Sequence, residues 1–308
     1  AAQGIQHHKI LDIDSKNPLT VLKLLFSIHQ IIKQKGITIV HTHHRMAAFY
    51  IRLLKFVYPK LTHVYTAHNV FKDKLPLYRF ALKNAKSVAV GEAVNNNLKE
   101  DVGITDSKVI YNGVILKETD NQVDDIVGYD GTKLGCIARL SEQKGLTYLI
   151  EAMSLLTVKN IRLFIVGDGE LRNELENKVE ELHLQDSVTF LGYRKDIVEC
   201  INSFDFLVSS SLFEGLALNV IETFMNGKTM VATNIPGINE VVNDENGILV
   251  PAKNPGALAG AIDKLATDVL LRNRLAFHAK KTYEERFSYS MFLENYRALY
   301  REIQGEPK

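Results

Sequence analysis

The feature of this sequence that most limits its fold is an alternation of short, apolar, β-branched runs with longer amphipathic stretches. The apolar runs predict strands at residues 36–40, 62–66, 87–90, 108–111, 133–138, 161–166, 187–191, 204–209, 229–233 and 247–250. Helical periodicity fills the intervals, for example over residues 19–35, 146–156, 170–182 and 217–225. Apolar strands joined by helices are typical of parallel sheets with both faces covered. The sequence therefore predicts a doubly wound α/β architecture that occurs twice along the chain.

A polar, acidic stretch at residues 118–125 has no periodicity and is typical of a linker. We therefore expect a first α/β domain over residues 1–115 and a second over residues 116–286, followed by a terminal segment over residues 287–308. The tail from residue 268 to residue 303 is predicted to be helical throughout. The first domain is short and has no glycine-rich loop after an opening strand, so we expect its first strands to be missing from this chain.

Composition excludes several classes of protein. The chain is 46% hydrophobic and 24% charged, which is usual for a folded globular protein and unlike a disordered or collagenous one. Cys136 and Cys200 are far apart, which excludes a cysteine zinc site and a disulfide framework and fits a reducing cytoplasm. No run approaches the roughly 20 apolar residues that span a bilayer, and the first residues do not resemble a signal peptide. The sequence therefore predicts a cytoplasmic protein.

Charge is divided unevenly along the chain. Residues 1–115 carry 16 Lys and Arg against 7 Asp and Glu, whereas the rest carries 21 against 29. Residues 45–86 concentrate nine basic residues and eight aromatic residues around a single acidic one, Asp73. A basic, aromatic surface suits an anionic bilayer, so we expect peripheral association with the inner face of the cell membrane; a solvated basic face is the alternative. No recognition motif for nucleic acid accompanies this charge, so no nucleic-acid partner is expected.

The stretch from Ser209 to Glu222 is the most informative segment for function. A predicted strand enters a polar turn, then a glycine, then a helix, and the free N–H groups at the start of such a helix form an anion site. Glu214 lies at the mouth of this helix and Glu222 lies about two turns further along it. Carboxylates are acceptors and suit sugar hydroxyls better than phosphate. Glu222 as a buried cap for a neighbouring backbone is the structural alternative.

Two further turns follow predicted strands in the same half of the chain. Arg139 and Lys144 flank the turn that precedes the helix at residue 146, where a planar guanidinium and a point charge would form a diphosphate clamp. Gly167-Asp168-Gly169 again joins a strand to a helix. Turns at the carboxyl edge of one parallel sheet meet in a crevice, which predicts a nucleotide site there.

In this order, the motifs resemble the donor-binding domain of family 4 glycosyltransferases, which are retaining, metal-independent enzymes of the GT-B fold. The motifs are Arg139…Lys144-Gly145, Gly167-Asp168-Gly169, Leu191-Gly192-Tyr193 and Glu214-Gly215…Glu222. Three upstream segments are similar to patterns in the acceptor half of the same family: His41-Thr-His43, Tyr65-Thr-Ala-His68-Asn69 and Tyr111-Asn-Gly113-Val114. The tail is similar to the helix that crosses back to the first domain. The resemblance implies two Rossmann-like domains facing a cleft.

The resemblance also implies a role for each matching residue. Arg139 and Lys144 would hold the diphosphate of a nucleoside-diphosphate sugar, and Glu214 would contact hydroxyls of the transferred sugar. Glu222 would bind the ribose, and His68 would lie across the cleft near the sugar. The remaining donor-binding residues would line the base pocket (Gly167, Gly169, Gly192, Tyr193 and Arg194) or offer backbone N–H groups to the phosphate or sugar (Gly215, Leu216 and Ala217).

No metal or other cofactor is expected. Preorganised cations and helix-end amides at the leaving phosphate would supply the stabilisation that a divalent metal supplies elsewhere. Asp12-Ile-Asp14 has the spacing of a DxD metal motif but lies outside the predicted crevice. His41, His43 and His44 cluster in sequence, yet no further ligand is nearby, so a metal is not expected there either.

The function implied by the resemblance is transfer of a hexose or N-acetylhexosamine, with retention, to a glycan or lipid-linked acceptor in polysaccharide or glycoconjugate synthesis. A UDP-linked donor is expected, and a GDP-linked donor stays open. Two alternatives also stay open. A UDP-sugar 2-epimerase shares the fold and the nucleotide site, and a non-catalytic subunit would bind the nucleotide sugar without turnover.

Overall fold

The computed structural model describes residues 6–10, 12–14, 17–115 and 119–305 and contains two compact units. The first unit comprises the described residues up to Ile110, together with residues 302–305. The second unit spans residues 111–301. The division falls at Ile110 and Tyr111, a few residues before the boundary that the sequence predicts.

The first unit is a parallel α/β layer. Its elements are α1 (Pro18–Lys35), β1 (Ile39–Thr42), α2 (Arg45–Leu54), β2 (Thr62–Ala67), α3 (Leu75–Leu82), β3 (Lys86–Ala89), α4 (Glu92–Asn96), a π-helical turn (Asn97–Val102) and β4 (Ser107–Val109). Over the described residues the strands pair in the order β1-β2-β3-β4, all parallel. The carboxyl ends of β1 and β2 therefore lie side by side.

The second unit is a larger α/β layer of the same kind. It contains α5 (Asp124–Val127), β5 (Thr132–Ile137), α6 (Leu146–Ser154), β6 (Ile161–Val166), α7 (Arg172–Glu181), β7 (Val188–Gly192), α8 (Ile197–Ser203), β8 (Phe206–Ser209), α9 (Leu218–Met225), β9 (Met230–Thr233), β10 (Ile248–Val250), α10 (Pro255–Thr267), α11 (Val269–Thr282) and α12 (Tyr289–Gln304). The described strands pair in the order β10-β9-β8-β5-β6-β7, and each pair is parallel. The doubly wound α/β class that the sequence predicts is confirmed.

The order of the second sheet contains a switch point. From β5 the chain adds β6 and β7 on one side, and then returns to the other side of β5 to add β8, β9 and β10. Leu134 of β5 pairs with Phe206 of β8, and neither side chain is exposed. The loops that leave β5 and β8 therefore diverge to opposite faces of the sheet, which is where doubly wound sheets open a crevice.

Most elements fall within two or three residues of their predicted bounds, and the structure explains the differences. β1 starts at Ile39 because Gly36 adopts a left-handed conformation (φ 60°) and caps α1. The predicted linker is partly structured: the N–H of Val123 donates to Ser203 Oγ at 2.7 Å, and Ile126 in the short helix α5 is fully buried. The segment from Val123 to α5 is therefore packed into the second unit.

The prediction of an uninterrupted helical tail is wrong. The helix leaves α-geometry at a π-helical turn, Tyr283–Phe287, and breaks at Ser288, whose ψ of 151° is extended. Ser288 forms a parallel bridge with Val114, and the N–H of Val114 donates to the carbonyl of Phe287. α12 then begins at Tyr289. A return of this last helix to the first domain stays a prediction.

Candidate active site

A cavity of about 810 Å³ opens in the second unit at the carboxyl ends of the central strands. It lies at the switch point between β5 and β8, so its walls come from the loops after β5, β6, β7 and β8. The lining residues are Ile137, Ala138, Arg139, Lys144, Val166, Gly167, Asp168, Tyr193, Arg194, Lys195, Ile197, Glu214, Leu216, Leu218 and Asn219. The structure thus brings together residues that the sequence predicts to bind one ligand.

Lys144 and Glu214 form an ion pair in the wall of this cavity. Lys144 ends a 3₁₀ turn (Glu142–Lys144), and its Nζ lies 2.5 Å from Glu214 Oε1. Ser211 Oγ donates to the same oxygen at 2.9 Å, and Gln143 Nε2 donates to Oε2 at 3.3 Å. The side chains are only 19% and 8% exposed. The sequence pointed to both charges but missed their contact and the two polar partners.

Arg139 is held differently, by an exposed partner. Its guanidinium NH2 lies 3.2 Å from Glu170 Oε2, and the side chains are 73% and 55% exposed. A hydrogen bond from the Glu170 backbone and, to a smaller extent, Arg139 lower the pKa of this carboxyl, so the carboxyl is charged near neutrality. Sequence reasoning missed Glu170, which stands one position after the Gly167-Asp168-Gly169 turn. Arg139 therefore lines the cavity while it is paired with an exposed carboxylate.

Glycines let the loops after β5 and β6 approach each other. Gly167 has φ +138°, and a Cβ there would lie 1.9 Å from the carbonyl oxygen of Ala138. A Cβ on Gly169 would lie 2.4 Å from the carbonyl oxygen of Leu140. The N–H of Leu140 in turn donates to the carbonyl of Asp168 at 3.0 Å. The two glycines shape the cavity by this close backbone approach; Gly167 is among the lining residues and Gly169 is not.

The segment after β7 supplies the opposite wall. Arg194 is clamped by Asp196, which accepts from Nε at 3.0 Å and also contacts NH2. Tyr193 is 75% exposed, so a large aromatic face lies open beside the cavity. Gly192 (φ +69°) does not line the cavity, and its carbonyl accepts from the N–H of Gly167 at 2.8 Å. Two flat groups therefore line this part of the cavity, and their contact with a base stays a prediction.

The N-terminus of α9 offers fewer free amides than predicted. The N–H of Ala217 donates to the carbonyl of Gly237 at 3.3 Å, so the prediction that this amide is free for a ligand is wrong. Gly237 reaches this position because its φ is +84°; a Cβ there would lie 2.7 Å from the carbonyl oxygen of Glu214. The N–H groups of Gly215 and Leu216 donate to no described residue and remain candidates.

Glu222 does not line the cavity. It occupies the second turn of α9 and is partly buried. Burial raises the pKa of its carboxyl. Its backbone carbonyl accepts from the side-chain amide of Asn226 at 2.8 Å, which is an ordinary helix-end contact. A ribose contact by Glu222 therefore stays a prediction.

His68 lies in the first unit, directly after β2, among imidazoles that the sequence grouped differently. His43 Nδ1 lies 3.0 Å from His68 Nε2, and the ring of His41 stacks on that of His43 at 4.3 Å. Burial lowers the pKa of all three, that of His41 to about 4. His44, which is adjacent to His43 in sequence, instead caps α2 by accepting from the N–H of Met46 and does not join these three rings.

No set of three or more His, Cys, Asp or Glu side chains is arranged to hold a metal ion in the part of the chain that the structure describes. Asp12 accepts from the N–H of Asp14 at 3.0 Å, and Asp14 lies 3.8 Å from His44, so the aspartates of the DxD sequence make local contacts. Within the described ranges, no helix is both long and apolar enough to cross a membrane.

Two parallel α/β units, one with a cation-lined cavity at its switch point, are the architecture of the GT-B class. A family model described as "Glycosyl transferases group 1" matches residues 127–282, just over half of the 308 residues. A second model, "Glycosyltransferase Family 4", matches residues 2–118. The chain belongs to the group 1 glycosyl transferases.

Proteins similar in sequence to this chain are also named as glycosyltransferases. The chain is 31% identical over 216 residues to an uncharacterized glycosyltransferase, MJ1607, of Methanocaldococcus jannaschii, covering 64% of this chain but only 55% of that protein. A second M. jannaschii glycosyltransferase, MJ1178, is 26% identical over 89% of this chain and 78% of its own length. A UDP-Gal:alpha-D-GlcNAc-diphosphoundecaprenol alpha-1,3-galactosyltransferase of Escherichia coli is 26% identical over 81% of this chain and 72% of its own length.

Solved structures share the fold. Anabaena Alr3699/HepE in complex with UDP superposes with a TM-score of 0.83 at 22% identity, covering 92% of this chain and 84% of that one. A glycosyltransferase from Rickettsia africae ESF-5 superposes with a TM-score of 0.81 at 25% identity, covering 97% and 84%. The predicted GT-B fold class is confirmed.

Proposed function

We propose that this protein transfers a hexose or N-acetylhexosamine from a UDP-linked sugar to a glycan or lipid-linked acceptor, with retention of configuration. The observation that carries the proposal is the cavity of about 810 Å³ in which Arg139, Lys144 and Glu214 converge at the switch point. Sites for small ligands and cofactors measure about 300–1,000 Å³, so a nucleotide sugar fits this volume.

The cavity has the chemistry that a nucleotide sugar requires. Arg139 and Lys144 offer charge to a diphosphate, and the N–H groups of Gly215 and Leu216 extend that positive edge. Glu214 is an acceptor for sugar hydroxyls, and the flat groups of Tyr193 and Arg194 suit stacking on a base. UDP as the nucleotide is supported by the Anabaena neighbour, which was solved with UDP, and by the E. coli relative, whose name specifies UDP-Gal.

In the proposed reaction the bond between sugar C1 and the diphosphate oxygen breaks, and a bond from C1 to an acceptor hydroxyl oxygen forms. The acceptor's proton passes to the departing phosphate oxygen on the same face of the sugar, so configuration is retained. Arg139, Lys144 and the two amides stabilise the charge that develops on the diphosphate. Glu214 is tied to Lys144 and Ser211, so it serves as a hydroxyl acceptor and orienting group, with no covalent role. The proposal requires no metal ion.

Donor binding is tested by thermal unfolding of the whole chain with UDP-, GDP- and ADP-sugars. A ligand that binds only the folded state raises the midpoint, and we expect the largest rise with UDP-sugars. Arg139→Gln, which removes an exposed cavity cation, should reduce the rise. Arg274→Gln on α11, an exposed cation outside the cavity lining, should leave it unchanged. Equal shifts in both variants would remove Arg139 from the site.

Turnover assays distinguish a transferase from the two alternatives, a 2-epimerase and a non-catalytic subunit. A transferase releases UDP only when a suitable acceptor is present, and the anomeric configuration of its product, read by NMR, reports retention. Interconversion of the sugar without acceptor would identify a 2-epimerase. Binding without turnover on any glycan or lipid-linked acceptor would identify a non-catalytic subunit.

Membrane association at the inner face of the cell membrane is part of the proposal, because a lipid-linked acceptor resides there. Phe56 and Val57, just after α2, are 68% and 63% exposed, and Arg52 and Lys55 precede them. An apolar tip beside cations suits an anionic bilayer. The name of the E. coli relative includes a diphosphoundecaprenol acceptor.

Co-sedimentation with vesicles tests this surface. We expect binding to vesicles that contain anionic lipid, weakened by salt, and little binding to neutral ones. Phe56→Ser should reduce the binding. Phe277→Ser, which removes an equally exposed phenylalanine (69%) from α11 in the second unit, is the matched control. Equal binding to neutral and anionic vesicles, or none to either, would remove the membrane from the proposal.

A further inference from the structure

Three histidines meet where β1 and β2 end in the first unit. β1 and β2 are parallel and in register, with His41 opposite Val64, so the residues that follow the two strands emerge side by side. The ring of His41 stacks on His43 at 4.3 Å, and the ring of His43 lies 5.3 Å from that of His68. The three imidazoles thus form a continuous row that ends at His68.

The row is joined by hydrogen bonds at defined atoms. His43 Nδ1 lies 3.0 Å from His68 Nε2. At the other end, His41 Nε2 lies 2.7 Å from Thr66 Oγ1, which anchors the row to β2. His68 makes no other hydrogen bond to a described residue. Its Nε2 is therefore engaged, and its Nδ1 is the nitrogen left for a ligand.

We propose that His43 is a positioning residue for His68: it holds Nε2 of His68, fixes the orientation of that ring, and presents Nδ1 of His68 to the substrate. This inference rests on the proposed function, because it assumes that His68 contacts the sugar or the acceptor. No substrate contact by His43 is required.

A hydrogen bond between two ring nitrogens needs one proton between them. Two doubly protonated rings have no acceptor nitrogen, so at least one of the pair is neutral whenever the bond exists. Burial and the neighbouring His43 lower the pKa of His68, and burial lowers that of His43. Within the described residues, the titratable groups that act on this row are the three imidazoles themselves and His63, whose buried ring interacts with that of His41. Both rings of the pair are accordingly neutral at neutral pH.

A neutral, oriented imidazole suits the proposed reaction. The transferred sugar gains positive charge as its bond to the diphosphate breaks, and an imidazolium beside it would oppose that charge. A neutral ring whose Nδ1 faces the substrate can donate to or accept from a sugar or acceptor hydroxyl, depending on the tautomer that His43 selects. A ring free to rotate would lose that alignment, and a displacement of about 1 Å can cost on the order of 100-fold in rate.

The geometry provides a matched pair of variants. Because His43 uses Nδ1, the amide of asparagine in His43→Asn can replace the bonding atom, whereas the longer glutamine in His43→Gln places its amide near the position of Nε2. His44→Asn is the control, since His44 caps α2 without joining the row and asparagine is a good helix N-cap. The assays use the whole chain with its UDP-sugar and acceptor.

We expect His43→Gln to lower kcat about 10- to 100-fold with little change in KM for the donor, and His43→Asn to retain most of kcat at neutral pH. In His43→Asn the like charge of a second imidazole is gone, so the pKa of His68 rises and the acidic limb of the kcat profile moves to higher pH. His44→Asn should change neither kcat at neutral pH nor the position of the acidic limb. If His43 acted only in folding, the asparagine and glutamine variants would have similar kcat, and the acidic limb of the kcat–pH profile would not move.

Nitrogen NMR of the ligand-free protein tests the bond apart from activity. With ¹⁵N-histidine labelling, the Nε2 signal of His68 should report a hydrogen bond to another ring in the wild type and in His44→Asn, and should change in His43→Gln. An unchanged signal, or equal kcat in the asparagine and glutamine variants, would overturn the proposal. Absence of transfer with every donor and acceptor would instead defeat the proposed function, while the NMR result on the His43–His68 bond would stand.

Discussion

Lys144 Nζ lies 2.5 Å from Glu214 Oε1, so the cavity's least exposed cation is already paired before a donor arrives. The two residues come from loops on either side of the switch point and are 70 positions apart in sequence. Ser211 and Gln143 occupy further lone pairs of the same carboxylate. This network keeps the ammonium of Lys144 in one place, from which, in the proposed function, it would meet the diphosphate without reorganising.

Loss of Lys144 should therefore destabilise the second unit as well as weaken donor binding. Lys144→Ala leaves the nearly buried carboxylate of Glu214 without its counter-charge, and we expect a loss of about 2–3 kcal/mol in the free energy of unfolding, since complete burial of such a pair gives ~3–5 kcal/mol. Urea unfolding measures it. The control, Lys281→Ala, breaks the exposed Lys281–Glu285 pair of neighbouring helical turns and should cost below about 0.5 kcal/mol. Similar losses in both would contradict the burial argument.

Removal of Glu170's charge should tighten UDP binding. Glu170→Gln keeps the size of the side chain but ends its competition with a phosphate for Arg139. An exposed ion pair is weak because water and salt screen it, so we expect an affinity gain of only a few fold. Calorimetric titration with UDP at low salt measures the gain, which should shrink at high salt. Glu174→Gln, an exposed carboxylate nearby on α7, should have no such effect; weaker binding in Glu170→Gln would mean that Glu170 orients Arg139 for the ligand.

The sequence predicted the site's cations and carboxylates because each follows a strand in one parallel sheet, and the carboxyl ends of such strands meet. Arg139, Lys144 and Glu214 converge for that reason. The partners that decide their electrostatics were missed: Gln143 and Glu170 carry no motif, and their contacts depend on side-chain rotamers across loops. Pattern reasoning names the residues that reach a ligand, whereas their partners follow from packing.

For the fold as well, local patterns predict the elements, whereas contacts between distant residues decide the details. Apolar runs located the strands, but Ser288 interrupts the predicted tail helix because it bridges to Val114, a contact between residues far apart in sequence. Ala217 illustrates the point within the site, since its amide is taken by Gly237, which only a left-handed turn brings near. His43 joined His68 rather than His44 because β1 and β2 align in register. Long-range pairings of this kind leave no local signal.

Gly167 should be intolerant of any side chain. A Cβ would lie 1.9 Å from the carbonyl oxygen of Ala138, and φ is +138°, so the loops after β5 and β6 must separate. We expect Gly167→Ala to lose about 2 kcal/mol or more of stability and most of the UDP-induced rise in melting temperature. The matched control is Gly260→Ala inside α10, where a Cβ meets nothing within 4 Å. That change should stabilise the protein by about 0.5–1 kcal/mol. An unchanged UDP response in Gly167→Ala would mean that the loop is not part of the donor site.

Acid should destabilise the first unit through His63. This ring is 1% exposed, bonds Thr42 Oγ1 through Nε2 at 2.8 Å, and has no described partner for Nδ1. Burial, with Lys55 and His41, lowers its pKa from 6.5 to about 4. Between those values the unfolded chain binds a proton that the folded chain does not, so stability falls as pH drops from about 6.5 to about 4, by about 2–3 kcal/mol for this group.

His63→Gln tests this dependence of stability on pH, because glutamine can keep the bond to Thr42 but cannot take up a proton. Urea unfolding of the first unit at pH 7.5 and pH 5 should show a smaller loss in this variant than in the wild type, with a remainder due to His41. The control is His183→Asn, an exposed histidine of the second unit at φ 54°, where asparagine is tolerated and the slope should not change. A slope in His63→Gln as steep as in the wild type would mean that the acid sensitivity of this unit arises elsewhere.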